Sequence, residues 1–324
     1  MLKSIARKIL GGGHKATAQF TLPPVVFEIA PGFASGVAIE GSRRKGRQIS
    51  KIALQSLSPA SIDPHLSRAN ICRAEEFGRA AASLISAVGN EDGRFGLVLP
   101  DGAMRVALLS FDTLPDDPEA AEALIRWRMK DKLPFNAEEA RATYQVLSDT
   151  PGHIEVLALA MRASVIAEYE SAFSGINGGA ALILPATVAL LPMLPEERGG
   201  DHVLIHVCGN WLTVVVLSGS IPCAWRTREL DPLDFVNYDR EVASEVARGV
   251  ASARDRTQTE LGRIWLCARP PAEKNLAEAI SDTMGRDVTL IRPQPELASL
   301  LGADDRSRFE QFGAPIAGLV ANAT

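Results

Sequence analysis

The chain has 324 residues, of which 46% are hydrophobic and 23% charged, and a net charge of −5. That composition excludes wholesale disorder and a chain whose main task is coating nucleic acid, which needs a basic face. The length exceeds the roughly 250–300 residues at which a single core stops growing, so two domains are expected. No apolar run approaches the roughly 20 residues that span a bilayer.

At the N-terminus, Leu2, Ile5, Ala6, Ile9 and Leu10 share one helical face, with Lys3, Arg7 and Lys8 among them. A secretory signal would need a continuous apolar stretch and a small-residue cleavage site, and neither is there. Residues 1–24 read as a tail, with residues 2–10 a short amphipathic helix that could touch an anionic membrane surface weakly. Gly11–Gly12–Gly13 breaks it. The segment Gly11–Thr17 has a phosphate-loop look, but no strand precedes it and no glycine precedes Lys15.

From Leu22–Pro23–Pro24 the folded body begins, with strand-like segments Val25–Ala30, Gly36–Glu40 and Gln48–Leu57 separated by Pro31–Gly32 and Gly41–Gly46. Glu75–Val88 has helical spacing. Phe95–Leu99 is a short apolar strand closed by the turn Pro100–Asp101–Gly102. Glu119–Lys132 is a helix between Pro118 and Pro134. Thr143–Leu147 and Ile154–Ala160 are strand-like, Ala163–Phe173 helical, Ala180–Ile183 a strand, and Pro185–Met193 helix-like. Leu194–Asp201 reads as a hinge. The pattern then restarts: strands Val203–Val207, Trp211–Leu217 and Ile221–Arg228, helix Arg240–Arg256, strand Arg263–Cys267, helix Asn275–Met284 and strand Val288–Ile291. A meander followed by helix–strand units occurs twice, which is an α/β layer architecture.

Chemistry-bearing motifs are few. Cys72, Cys208, Cys223 and Cys267 form no CxxC pair, and three of them lie in apolar runs, which suits a reducing cytosol and argues against a zinc ribbon. His202 and His206 have zinc-helix spacing but fall on a strand, roughly 13 Å apart at 3.3 Å per residue, so they read as core or edge histidines. No Gly-x-Ser-x-Gly elbow or Cys–His pairing suggests an activated nucleophile. The basic runs Arg43–Arg47 and Arg226–Arg228 read as solvated turns and strand ends.

Three phrases, in this order, carry a resemblance. They are Ile125–Phe135 (IRWRMKDKLPF) with Tyr144–Leu147; Ile154–Arg162, Phe173–Ile176 and Leu182–Pro185; and the C-terminal Ala314–Val320. From about Val25 to Ala321 the chain resembles the PilM family of actin-like type IV pilus assembly proteins. More distantly it resembles the FtsA cell-division proteins. The resemblance implies an actin-like fold of two RNase-H-like domains facing each other across a cleft, at residues 25–195 and 200–310. It adds a small inserted subdomain at about 101–160 and a C-terminal helix, 311–324, returning to the first domain. FtsA anchors to the membrane through a C-terminal amphipathic helix, and Gly318–Thr324 is too short and uncharged for that.

In such a fold three loops at the cleft hold Mg-ATP, and the resemblance allows each to be checked. The first strand pair should carry Asp-x-Gly and then a base. Here it carries Glu28 and Ala30, then Ser35, and no base before Arg43. The second should be another Asp-x-Gly, and here it is His206–Val207–Cys208–Gly209. The third should be Gly-Gly, and here it is Ala268–Arg269. One carboxylate near a cation is worth roughly 4 kcal/mol at an effective dielectric of 20, so three departures together imply a degenerate pocket. The expectation is no catalytic residue and no cofactor, metal ions included. The alternative is an ATPase or sugar-kinase-like enzyme with Mg-ATP and Glu28 as its metal-positioning acid. The resemblance also implies a partner: the cytoplasmic tail of a PilN-like bitopic inner-membrane protein, received beside the inserted subdomain. Trp127, Leu133, Pro134 and Phe135 are the candidate surface, Trp127 otherwise reading as a core or inter-subdomain anchor. The pilus motor ATPase is a further candidate partner, and nucleic acid is not. The implied location is the cytoplasmic face of the inner membrane.

Overall fold

The computed structural model describes residues 22–42, 46–89, 93–195, 200–230, 237–257 and 260–322. The amphipathic segment 2–10, the glycine-rich Gly11–Thr17 and residues 196–199 of the hinge lie outside them, as do Arg43, Arg44 and Lys45.

Strands β1 (Val25–Ala30), β2 (Phe33–Ser42) and β3 (Gly46–Ser56) form an antiparallel meander. Gly32, at φ +87°, makes the first turn, a backbone conformation that costs glycine nothing. Helix α1 (Ala74–Val88) crosses back to β4 (Phe95–Leu99), which runs parallel to β1, and β8 (Ala180–Pro185) pairs parallel to β4. All six residues of β1 are buried, as expected for a strand covered on both faces. The second half repeats this plan. Strands β9 (Asp201–Cys208), β10 (Trp211–Ser218) and β11 (Ile221–Glu229) are the meander, α5 (Tyr238–Thr257) the crossover, and β12 (Leu261–Cys267) and β13 (Val288–Leu290) the parallel strands. The two sheets have the same order, β3-β2-β1-β4-β8 and β11-β10-β9-β12-β13.

Between β4 and β8 the chain inserts a separate three-stranded sheet, β5 (Arg105–Phe111), β7 (His153–Arg162) and β6 (Ala140–Thr150), backed by α2 (Pro118–Met129). Sequence periodicity missed β5. Ala107, Leu109 and Phe111 face the insert's core while Val106 and Leu108 pack on the main core, so the strand shows no apolar–polar alternation. Helix α3 (Ala163–Ala172) returns the chain to the first sheet, and α1 and α3 cover an aromatic cluster in which Phe27 and Phe95 lie 4.6 and 5.6 Å from Phe173. After β8 comes the short α4 (Ala186–Leu190). In the second half α6 (Glu273–Met284) joins β12 to β13, followed by α7 (Ala303–Phe312) and α8 (Ala314–Asn322). Helix α8 packs on α4 so closely that a Cβ on Gly318 would lie 2.0 Å from the Ala189 carbonyl oxygen.

Arg226 and Arg228 on β11 are not simply solvated. Both pair with the carboxylate of Glu245 on α5, Arg228 at 2.6 Å and Arg226 at 3.4 Å, and Arg248 joins them. Glu245 is buried, and the cations stabilise a charge that the helix carries into the core face.

Candidate functional site

The turns of the two meanders meet. Gly209, at φ +62° between β9 and β10, faces Pro31, between β1 and β2, and a Cβ on Gly209 would lie 3.3 Å from the proline ring. The end of β12 lies beside β9, with Cys267 opposite His206. All three loops identified in the sequence are therefore brought together.

Two charged clusters bridge the halves there. On β1, Glu28 is 2% exposed and its Oε1 accepts from the guanidinium of Arg269, beyond β12, whose side chain is 17% exposed. Arg269 also donates to the Phe312 carbonyl at 2.9 Å and lies 3.9 Å from the Phe33 ring centre and 5.4 Å from that of Phe312. The guanidinium is thus held on one side by an anion and on the others by aromatic faces. Among the described residues, Glu28 Oε2 is buried with no hydrogen-bond partner, as is the hydroxyl of Ser35, which sits opposite Glu28 on β2. Burial pushes the Glu28 carboxyl up, and the charges of Arg269 and His206 pull it down without cancelling the effect, so it stays above the ordinary glutamate value.

The second cluster centres on Asp101, in the turn after β4. Its Oδ1 accepts from the Thr187 amide at 3.0 Å. Its Oδ2 accepts from the Thr187 hydroxyl at 2.5 Å and the Thr213 hydroxyl at 3.1 Å, and lies 2.7 Å from His206 Nδ1. A carboxylate only accepts, so Nδ1 carries the proton in this contact. Asp101 and Thr187 belong to the first half, His206 and Thr213 to the second. Burial raises the Asp101 carboxyl, but the His206 charge and the hydrogen bonds of His206 and Thr187 outweigh it and hold it below the ordinary aspartate value. Beside this cluster the Trp211 ring lies over Gly102, where a Cβ would come within 2.3 Å of it.

Cys208 supplies no charge. Burial pushes its thiol up to about 11, and that of Cys267 up to about 12, so both are neutral near pH 7. Ala30 and Ala268 are buried beside them. The cation that Glu28 holds is a side chain, Asp101 is committed to three side-chain partners, and Gly209 packs against Pro31. Sequence reasoning singled out the Glu28, His206–Gly209 and Ala268–Arg269 positions but missed Asp101, Thr187 and Thr213. Asp101 did carry a signal, since it follows the C-terminal end of a buried parallel strand, where α/β sheets place polar groups at a crevice. His202, the other member of the histidine pair, is buried near Trp265 with its Nδ1 accepting the Arg263 amide, far from a joint metal site with His206.

The candidate partner surface is divided. Leu133 and Phe135 pack half-buried on the insert's core, with the Arg162 guanidinium 5.8 Å from the Phe135 ring. Pro134 is exposed. Trp127 is 56% exposed, two residues from both Ile125 and Met129 and so on the opposite side of α2 from that buried face. Lys130 Nζ lies 5.0 Å from its ring centre. It is not a core anchor.

Two five-stranded sheets of one strand order, with their hairpin turns meeting at a shared cleft, define the actin-like fold. The chain is similar to a solved PilM-PilN type IV pilus biogenesis complex, with a TM-score of 0.76 and 15% identity over 94% of this chain and 99% of that one. It is also similar to a Bacteroides thetaiotaomicron protein with an actin-like ATPase fold and unknown function, with a TM-score of 0.53 and 6% identity over 91% of this chain and 94% of that one. No protein-family model and no curated protein sequence matches the chain. Among the described residues no helix is long and apolar enough to cross a membrane.

Proposed function

We propose that the chain is a non-catalytic, actin-like scaffold of a type IV pilus or type II secretion-like assembly platform. It sits at the cytoplasmic face of the inner membrane, binds the cytoplasmic tail of a PilN-like membrane protein and couples that platform to the motor ATPase. The partner reading draws on the likeness to the PilM-PilN complex over nearly the whole chain. The observation that carries the non-catalytic reading is the Glu28–Arg269 pair, which puts a cation of the protein's own on the carboxylate that a nucleotide-bound metal would use.

Trp127 and Pro134 offer exposed contact points for a short peptide. One observation favours a second reading, an ATPase that uses Glu28 to position magnesium: Glu28 Oε2 has no hydrogen-bond partner among the described residues. That reading requires Arg269 to leave the cleft. Calorimetric titration separates the two. Micromolar binding of a PilN-type N-terminal tail peptide with no heat from Mg-ATP is the expected result. Micromolar Mg-ATP binding that Glu28→Ala abolishes would replace the scaffold with the enzyme, and absence of peptide binding would remove the partner.

A further inference from the structure

The helix that backs the insert has two apolar faces. Ala121, Ile125 and Met129 of α2 are buried against the insert's sheet. On the opposite side Ala120, Ala123 and Trp127 are exposed, and Leu124 is half-buried. These four stand at i, i+3, i+4 and i+7, the spacing with which one helix packs on another. Large apolar side chains left exposed are few, Trp127 and Leu300 among the described residues. The alanines at 123 and 120, one and two turns below Trp127, leave its ring standing above a flat strip.

Charge along the same helix is divided by sign. Asp116, Asp117, Glu119 and Glu122 stand at its start, and Arg126, Arg128, Lys130 and Lys132 at its end, with Asp131 the exception. The helix dipole accounts for acids at one end and bases at the other. It does not account for the apolar strip. Nor does it account for Arg126 and Lys130, like charges one turn apart on one flank, which disfavour a lone helix. Neither of these, nor Glu119 or Glu122, has an ion-pair partner among the described residues. Turned end for end, the helix offers each sign its opposite.

We propose that a second copy of this chain docks on this face, α2 packing antiparallel on α2 about a twofold axis that passes between Ala123 and Leu124. A twofold contact makes the patch its own complement. In that register Trp127 of each copy covers Ala120 of the other, and Ala123 meets Leu124. Glu119 falls between Arg126 and Lys130 of the second copy, because all three lie on one flank of the strip. The two helix dipoles also run in opposite directions. A helix of this length spans about 18 Å. Such a contact buries less than the roughly 1,200 Å² of stable complexes, so the dimer is weak, and its charges make it sensitive to salt. The proposal does not rest on the tail-peptide reading. Because both use Trp127, a docked copy and a bound tail exclude one another there.

Sedimentation velocity of the full-length protein, from micromolar to near-millimolar and with no peptide present, tests this. The wild type should shift toward the dimer as concentration rises, and less so in high salt. Glu119→Lys and Lys130→Glu should each weaken association about tenfold or more, by setting like charges against each other. Both positions are exposed, so each variant should melt as the wild type does. An equal mixture of the two variants should associate again, because in the mixed pair each altered end meets the opposite sign. Cross-linking checks the register. With the exposed Cys72 changed to serine, Ala123→Cys should join two chains under mild oxidation, while Ser164→Cys, exposed on α3, should not. A wild type that stays monomeric at every concentration would overturn the proposal. So would a dimer that both charge reversals leave intact, or charge-reversed chains whose mixture stays apart.

Discussion

Arg269→Met tests the cleft most directly. The substitution keeps an unbranched chain between Phe33 and Phe312 but takes the cation off Glu28, which is 2% exposed. Breaking a buried pair from one side costs about 3–5 kcal/mol, because the remaining charge stays desolvated. Loss of the guanidinium from two aromatic faces adds about 0.5–2 kcal/mol, part of which the thioether returns. A loss of about 4 kcal/mol is a large share of the 5–15 kcal/mol of a folded protein. It should appear in urea denaturation as a lower midpoint. The pH dependence gives the sharper check. Burial already holds the Glu28 carboxyl above its ordinary value with Arg269 in place, and removing the guanidinium raises it further. The folded state then binds the proton more readily than the unfolded one, so the variant's deficit is full at high pH. It shrinks as pH falls through the variant's raised folded value toward the wild type's own, which also lies above the ordinary 4.5. Adding Glu28→Gln to Arg269→Met should restore part of the loss at neutral pH and flatten this dependence. A loss below about 1 kcal/mol, or one that is the same at pH 8 and pH 5, would refute the buried pair.

Asp101→Asn should cost about 3 kcal/mol in denaturant unfolding, since it removes the charge facing His206 and one acceptor among three side-chain partners. Because the Asp101 carboxyl is held below 3.8, the gap between wild type and variant should stay constant down to about pH 4 and close below it. Gly318→Val should cost about 2–4 kcal/mol by forcing α8 off α4, with Gly318→Ala already destabilising, because the clash is with the Ala189 backbone; thermal melts measure both. Trp127→Ala should change unfolding free energy by less than about 0.5 kcal/mol, the side chain being 56% exposed. In calorimetry the same variant should weaken binding of a PilN-type tail peptide by about tenfold or more.

Much of the fold was legible because its punctuation is local. Pro31–Gly32, Gly209 and Gly219 mark hairpin turns on which the meanders depend, and the apolar spacing of α1 survives into its buried face. The strand β5 was hidden because both its faces are apolar. The cleft was half legible. Each loop could be found from its neighbouring strand, and Arg269 was visible as a long side chain out of place. Its partner stands 241 residues away in sequence, and no local pattern joins the two. Glu245 was overlooked despite a usable signal. It falls between Val242 and Val246 on the buried stripe of α5, and an acid there must find cations, which Arg226 and Arg228 supply from β11.

Under the proposed non-catalytic reading, the residues at the three loops make physical sense together rather than one at a time. A pocket for a magnesium nucleotide gathers carboxylates because the ligand brings the balancing cation. Without that cation, a third carboxylate at Cys208 would stand near Glu28 and Asp101, which already feel one another and the thiol. Each such like-charge repulsion in a buried site is unfavourable. A neutral thiol at 208 removes that repulsion, and a guanidinium at 269 supplies the positive charge that Glu28 requires. Asp101 meanwhile finds a hydrogen-bond donor in His206, the residue that opens the altered second loop. The substitutions thus neutralise the cleft from within, and each depends on the others: the glutamate would be unpaired without the arginine, and the arginine would be buried unpaired without the glutamate. In the proposed scaffold, that self-balanced cluster joins the two halves across the cleft in the place where a nucleotide would otherwise do so.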